Sequence, residues 1–491
     1  MPHDASAPSL PRDGARDSAR EAALARHLFA WGAAALVLLT AAGLAVSFGL
    51  AVVAPGLILA VPVALVAVVG GGALLASGQW AAGGAVVLSL LLSGVADQFP
   101  AGKIVFGLYL ATFVGTWYVP RWAAGERMVV SRTDALAALL IVLATGFGLA
   151  LGLAMGNPAG EIVGQYQAFI PILLYFPLKE TCARARLGPE IVAGAIVVLG
   201  VAAAAENALL TQAALQDATK LYEIIDVRVS YGEIMLMAST VIVTGLLISA
   251  RRVTRSAPLL VVFGIVVGGL ILSKSRGFWV AALLALALLF VMARTEQRTR
   301  LIGVVLVGFA LLVSAAIALV PQYAMLLGAG IAKRFLTLST AGSVDVSLLN
   351  RFAENVGIWR EVSQSPILGH GWGATYSYHS LLVQGTRVWG FTHNAYFGLW
   401  LKIGLWGLGL VVAVWAGCAG GGLSALRDRR LTPRHRALAG AAGASLVGIA
   451  LVAYASSPFE LADQMTVLTA LWAIAQGTAQ RAKLAVDGAA A

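Results

Sequence analysis

The sequence predicts an all-α polytopic membrane protein, a bundle of about 12–14 transmembrane helices with one large external loop, and three observations carry that prediction. Hydrophobic residues make up 59% of the 491 positions, charged residues only 12%, and the mean hydropathy is +0.86, far outside the range of a water-soluble domain. Apolar runs of about 20 residues, the length that crosses a hydrocarbon core, recur along the chain. Lys and Arg gather in alternate connections between those runs.

Residues 1–27, "MPHDASAPSLPRDGARDSAREAALARH", are polar, rich in Ala, Pro and Ser and lack an apolar centre, so they read as a disordered cytosolic tail. The first apolar run then acts as a signal-anchor. Candidate spans fall at roughly 28–50, 52–76, 80–96, 103–119, 133–155, 162–178, 189–209, 229–250, 257–272, 277–293 and 301–320, and again at 396–418, 437–456 and 462–478. This divides the chain into transmembrane helices over 28–320, a loop over 321–395, C-terminal transmembrane helices over 396–480 and a cytosolic tail over 481–491. The two cysteines, Cys182 and Cys418, are too few for a disulfide framework or a thiolate metal site.

Orientation follows from the connections "RWAAGERMVVSR", "KETCARAR", "RRVTR", "RTEQRTR" and "RDRRLTPRHR", which with the two tails hold 23 of the 34 basic residues. That side is expected to face the cytosol, with both termini. The net charge of +11 is therefore a topological signal; no basic cluster interleaved with aromatics points to nucleic acid.

The external segment 321–395 is the one soluble stretch long enough to build its own structure, and function is expected there. In "SLLNRFAENVGIWREVSQSP", Leu348, Phe352, Val356 and Trp359 recur at helical spacing, with Ser347 as a cap and Pro366 as a stop. The spacing predicts an amphipathic helix packed on the membrane face or the bundle mouth. "LGHGWGATYSYHS" reads as a loop that brings backbone close to a neighbour.

Three external arginines oppose the positive-inside bias. Arg276 lies in the short hairpin "LSKSRGFWV" beside Lys274, Arg351 begins the polar face of the loop helix one turn before Glu354, and Arg228 leads into a helix from "IIDVRVSYGE". Pairing with an acidic residue or binding an anion would account for each; Glu354 is in reach of Arg351 and Asp226 of Arg228, whereas Arg276 has no acidic sequence neighbour. His393, in "WGFTHNAYFGLW", stands where the loop enters an apolar helix. It reads either as an interfacial histidine of the aromatic belt or as a general base, since an imidazole titrates near neutral pH. Arginines nearby would hold an anionic leaving group bidentately.

"SKSRGFW", then "NRFAENVGIW" and "PILGHGWG" in a long external loop, then "THNAYFGLWLKIGLWGLGL" opening the next helix, together resemble the O-antigen ligase and O-antigen polymerase superfamily of bacterial envelope glycosyltransferases, over roughly residues 220–420. The resemblance implies a GT-C-like helical fold in the bacterial inner membrane. Its active site would be periplasmic and need neither cofactor nor metal, the donor an undecaprenyl-diphosphate-linked glycan and the acceptor a saccharide or lipid-saccharide. It implies that Arg276 and Arg351 bind the diphosphate, that His393 activates the acceptor hydroxyl, and that Arg228, which fits the pattern only partly, assists.

Displacing a lipid diphosphate from an anomeric carbon places negative charge on the leaving group, which fixed cations stabilise; a base on the opposite face implies inversion. Within the superfamily the acceptor distinguishes a ligase, the reading favoured by one long loop bearing both Arg351 and His393, from an O-antigen or exopolysaccharide polymerase. A secondary transporter is the alternative of a different class. Transporters keep ionisable groups near the midplane, whereas here Glu206 and Lys402, the nearest to that position, fall close to outer helix ends.

Overall fold

The computed structural model describes residues 121–490 apart from 218–231, 251–255, 294, 320–327, 331 and 333–345, together with Leu110, Gly115, Trp117, Tyr118 and Val119. The N-terminal tail, the runs 28–50, 52–76 and 80–96, most of 103–119, and Arg228 lie outside these residues. All described residues belong to one compact unit, Ala82–Ala491.

That unit is mostly helical. Helix α1 runs over Arg132–Ala154 and starts in a reciprocal cap: Asp134 N donates to Ser131 Oγ while the Asp134 carboxylate accepts from Ser131 N. Helix α2, Ala159–Phe169, passes through a tight turn at Ile170–Leu174 into α3, Tyr175–Arg184. Then follow α4 (Gly188–Asp217), α5 (Glu233–Ser249), α6 (Ala257–Leu272), α7 (Arg276–Met292) and α8 (Thr295–Leu319). The loop segment holds α9 (Val346–Val362) and the strands β1 (Tyr376–Ser380) and β2 (Gly385–Trp389). Helices α10 (Ala395–Ala425), α11 (Pro433–Val452) and α12 (Ala462–Ala490) complete the unit.

Among the described residues four helices are long and apolar enough to cross a membrane: α1, Gly188–Ala214 of α4, α10 and α11. Helices α5, α6 and α7 are shorter apolar segments of 17, 16 and 17 residues. Each coincides with an apolar run of the sequence, and α12 continues through 481–490, the stretch read as a tail. Helix α11 is central, packing on α4, α5, α7, α10 and α12. Its "ALAGAAGASLVG" stripe permits this, since small residues let helix backbones approach where no water-driven force assists them; a Cβ at Gly448 would lie 2.5 Å from the Ala281 carbonyl.

The polar connections sort to two ends of the bundle. At one end, His435 Nε2 lies 3.1 Å from Glu190, the Arg121 Nε donates to Glu180, and the Arg481 guanidinium donates to the Cys182 carbonyl. These are the connections rich in Lys and Arg. At the other end, the turn between α1 and α2 and the connection 453–461 pack against residues 366–402.

Two departures from the sequence expectation shape this second end. First, part of "LGHGWGATYSYHS" is a strand: β1 pairs antiparallel with β2, Tyr376 opposite Trp389, and α9 packs on β1. The period-2 burial of Tyr376, Tyr378 and Ser380 is the strand signature that a loop reading passes over. Second, α10 is broken at Gly404, whose φ of +67° favours glycine. The carbonyls freed there are taken by the loop: His370 N donates to Leu401 O at 2.8 Å and Gly371 N to Lys402 O at 2.9 Å, while Leu405 N donates to Pro366 O at 3.1 Å. The inserted loop thus takes up backbone groups that the break frees. Gly371, at φ +77°, sits against the backbone of Gly152 in α1, so the expectation that this glycine-rich segment approaches another backbone describes it well. Trp372 anchors it. The indole Nε1 donates to Ala144 O at 2.8 Å, beside a π-turn at Leu143–Phe147 that loosens the helical ladder of α1.

Candidate active site

His393 lies in the turn 391–394 that enters α10. Asn394 caps that helix, its side-chain oxygen accepting from Tyr396 N and Phe397 N. The preceding residue is clamped from the connection before α12. Glu460 accepts from Thr392 N at 2.8 Å, from Thr392 Oγ1 at 2.8 Å and from Lys402 Nζ at 2.7 Å, in a pair whose side chains are 8% and 2% exposed. Gly398 leaves the room for this pair, because a Cβ there would collide with Glu460 and Thr392. Lys402 is thus one half of a buried ion pair. Glu460 escapes a reading of the sequence, since its partners lie 58 and 68 residues away.

His393 itself is held by Glu354. The imidazole Nδ1 lies 2.8 Å from Glu354 Oε2, and the backbone N–H of His393 donates to Oε1 at 2.7 Å. The Tyr376 hydroxyl stands 2.9 Å from the same Oε1 and 2.7 Å from the Phe391 carbonyl, with one proton to share between them. Glu354 is 1% exposed and the His393 side chain 36%, so a buried carboxylate orients a ring that reaches solvent. Burial pushes the Glu354 carboxyl up, but the hydrogen bonds and charge of His393, with Tyr376 adding, outweigh it and hold the group below the ordinary carboxylate range. Burial, followed by the neighbouring Glu354 charge, pushes the Tyr376 phenol well above its usual value, which keeps it a neutral donor.

The chemical consequence is a fixed tautomer. An ionised carboxylate only accepts, so Nδ1 carries the proton and the lone pair of the neutral imidazole sits on Nε2, for which the structure records no partner among the described residues. Phe391 and Trp389 stand edge-on to the ring at centroid distances of 5.2 and 6.1 Å, and the Arg387 guanidinium lies 5.5 Å from the Trp389 ring centre. A carboxylate-held imidazole with its other nitrogen open is chemically able to accept a proton.

Glu354 reads in sequence as a partner for Arg351, three residues before it; the structure directs both of its oxygens to His393. The face of α9 that packs on the hairpin is not its apolar stripe. Phe352, Val356 and Trp359 are half exposed, while Asn350, Glu354, Ile358 and Val362 point inward. Asn350 Oδ1 accepts from Ser380 Oγ and Leu381 N, joining α9 to the hairpin. Asn350 and Glu354 are thus buried on the polar face of the helix, where a hydrophobicity pattern expects solvent.

Arg351 lies on α9 three residues before Glu354, half-buried. Arg276 is the first residue of α7, after Ser275, and is also half-buried. The turn ahead of it, 273–275, is fixed by Trp279 Nε1 donating to Leu270 O at 2.7 Å. Its next residue touches the end of α11: a Cβ at Gly277 would lie 2.9 Å from Val452 Cγ2, and the following carbonyl, Ala453 O, accepts from Ala395 N at 2.9 Å. The first residue of α7 and the first residue of α10 thus meet the same end of α11, which puts Arg276 at the His393 end of the bundle. A cation on the first turn of a helix is opposed by the macrodipole, whereas an anion bound there is favoured by both the dipole and the guanidinium. His370, by contrast, is structural, with its Nε2 2.8 Å from the Glu361 carbonyl. Among the described residues no three His, Cys, Asp or Glu side chains come together as metal ligands.

No curated protein matches the chain. Residues 259–412, from α6 to the middle of α10, match the family model described as O-antigen ligase, and this stretch contains Arg276, Arg351, Glu354 and His393. Over that stretch, about a third of the 491 residues, the chain is similar to the O-antigen ligase family.

Proposed function

We propose that the chain is a metal-independent, inverting glycosyltransferase that moves a glycan from undecaprenyl diphosphate to a saccharide acceptor at the periplasmic face of the bacterial inner membrane, as an O-antigen ligase does. The observation that carries this reading is the Glu354–His393 pair with an open Nε2. Nε2 takes the acceptor hydroxyl proton as that oxygen attacks the anomeric carbon from the face opposite the leaving group. The bond from that carbon to the diphosphate oxygen breaks, and the electron pair leaves with the diphosphate. Arg276 and Arg351 neutralise the charge that develops there, and Arg228 is assigned the same task with a smaller share.

The side of the membrane is tested by reporter fusions. Fusions after residues 128, 254, 297 and 431 are expected in the cytosol and fusions near 340 and 375 in the periplasm. Cytosolic reporters at 340 and 375 would remove the site from the compartment where the lipid-linked glycan is presented.

The arginine roles predict a graded series in transfer assays. Arg276→Lys is expected to lower kcat/KM by about 10–10²-fold, because a point charge does not replace a bidentate fork. Arg351→Ala is expected to raise the KM for the donor, and Arg228→Ala to have the smallest effect. Full activity in Arg276→Lys would remove that residue from the diphosphate site.

Ligase and polymerase are separated by a deletion strain. Loss of a ligase leaves long polymer on undecaprenyl diphosphate; loss of a polymerase leaves single repeat units on the final acceptor. We expect the first, and a one-unit ladder would assign the chain to the polymerases while sparing the site.

A further inference from the structure

At the end of the bundle opposite His393, a cavity of about 910 Å³ opens between α4, α5, α6 and α11. Helix α11 separates the two regions: Val452, at one end, adjoins the Arg276 turn, whereas Thr432 and His435, at the other, line the cavity. Its 20 residues span about 30 Å. The cavity is therefore distinct from the His393 site.

Its lining is amphiphilic. Arg186 and Arg434 stand at the wall, and among the described residues the structure records no carboxylate beside either guanidinium. The acidic group in the described lining, Glu190, is engaged by His435 Nε2 at 3.1 Å. Three helices also begin here. Arg186 and Leu187 precede α4, Ser256 precedes α6, and Thr432 caps α11 by accepting from His435 N. Their N-terminal dipole ends add positive potential to that of the arginines. Leu187, Leu246 and Leu259 add apolar side chains to the lining. Two exposed arginines beside apolar side chains, at the basic end of a membrane bundle, suit a phosphodiester joined to hydrocarbon. The volume is also that of a small-molecule site.

We propose that this cavity binds the phosphate headgroup of an anionic phospholipid from the leaflet at the basic end of the bundle. The phosphate chemistry is shared with free phosphate, and the apolar side chains favour the lipid. The test is native mass spectrometry of the full-length protein in detergent, titrated with phosphatidylglycerol, phosphatidylcholine or inorganic phosphate. Wild type is expected to retain phosphatidylglycerol over phosphatidylcholine. The double variant Arg186→Ala, Arg434→Ala is expected to bind phosphatidylglycerol about tenfold more weakly, the loss of one charge-assisted hydrogen bond or more. Arg427→Ala with Arg429→Ala, at the same end but outside the cavity lining, should leave binding unchanged. If the Ala pair does not fold, Arg186→Gln with Arg434→Gln replaces it. Equal retention of the two lipids, undiminished binding by the double variant, or an equal loss in the control pair would each overturn the site. Displacement of phosphatidylglycerol by millimolar inorganic phosphate would overturn the lipid assignment in favour of a free anion.

Discussion

Replacing His393 with alanine is expected to lower glycan transfer by about 10²–10⁴-fold, the usual contribution of a positioned acid–base group, while leaving the protein folded and in the membrane. Only the ring and its bond to Glu354 are lost; the His393 backbone N–H still donates to Glu354 Oε1, Thr392 remains held by Glu460, and Asn394 still caps α10. The ring is 36% exposed, so its removal empties no core position. Transfer is read as polymer moved to the acceptor in a deletion strain carrying the variant, and folding as its thermal midpoint in detergent. Unchanged glycan profiles would show that His393 is not the base.

Glu354→Gln is the second large effect and the more discriminating one. Glutamine keeps the shape and an oxygen acceptor but presents an NH₂ group, and a carboxamide does not hold Nδ1 as a donor as a carboxylate does. The imidazole is then free to place its proton on Nε2, where the acceptor hydroxyl must approach. A loss of about 10²–10⁴-fold in kcat is expected, with KM for both substrates little changed, because the side chain touches neither substrate. An unchanged kcat, or a loss matched by a fall in the thermal midpoint, would leave Glu354 a purely structural role.

The same carboxylate sets an acid limit on stability. Its pKa in the folded protein is depressed, so its contribution is complete above the unfolded value of about 4.3 and is lost as pH falls through the lower folded value. Wild type is therefore expected to lose part of its stability in that window, and Glu354→Gln to lack this component.

The helices were legible because lipid solvation imposes a length and a polarity on each: the runs 257–272, 277–293 and 437–456 agree with α6, α7 and α11 to within four residues, whereas α10 runs seven residues beyond 418. His393 was legible for a related reason: an ionisable ring at the entrance of an apolar helix is visible in one dimension. What positions it was not. Glu354 is 39 residues from His393 and three from Arg351, so local spacing offered the arginine. Tyr376 lay within a stretch whose glycines suggested a loop, and Glu460 lay beyond the span that carried the resemblance. The break in α10 was also hidden, because "LKIGLWGLGL" reads as continuous apolar helix until the peptide groups of His370 and Gly371 are found bonded into it. Each of these features depends on a contact between distant segments.

The most direct measurement is single-turnover transfer by the purified protein in proteoliposomes, supplied with a glycan labelled on undecaprenyl diphosphate and a saccharide acceptor. The account predicts that wild type converts label to glycosylated acceptor with release of one undecaprenyl diphosphate per glycan, and that His393→Ala, folded to the same extent, leaves the label on the carrier. Equal conversion by wild type and His393→Ala would contradict it.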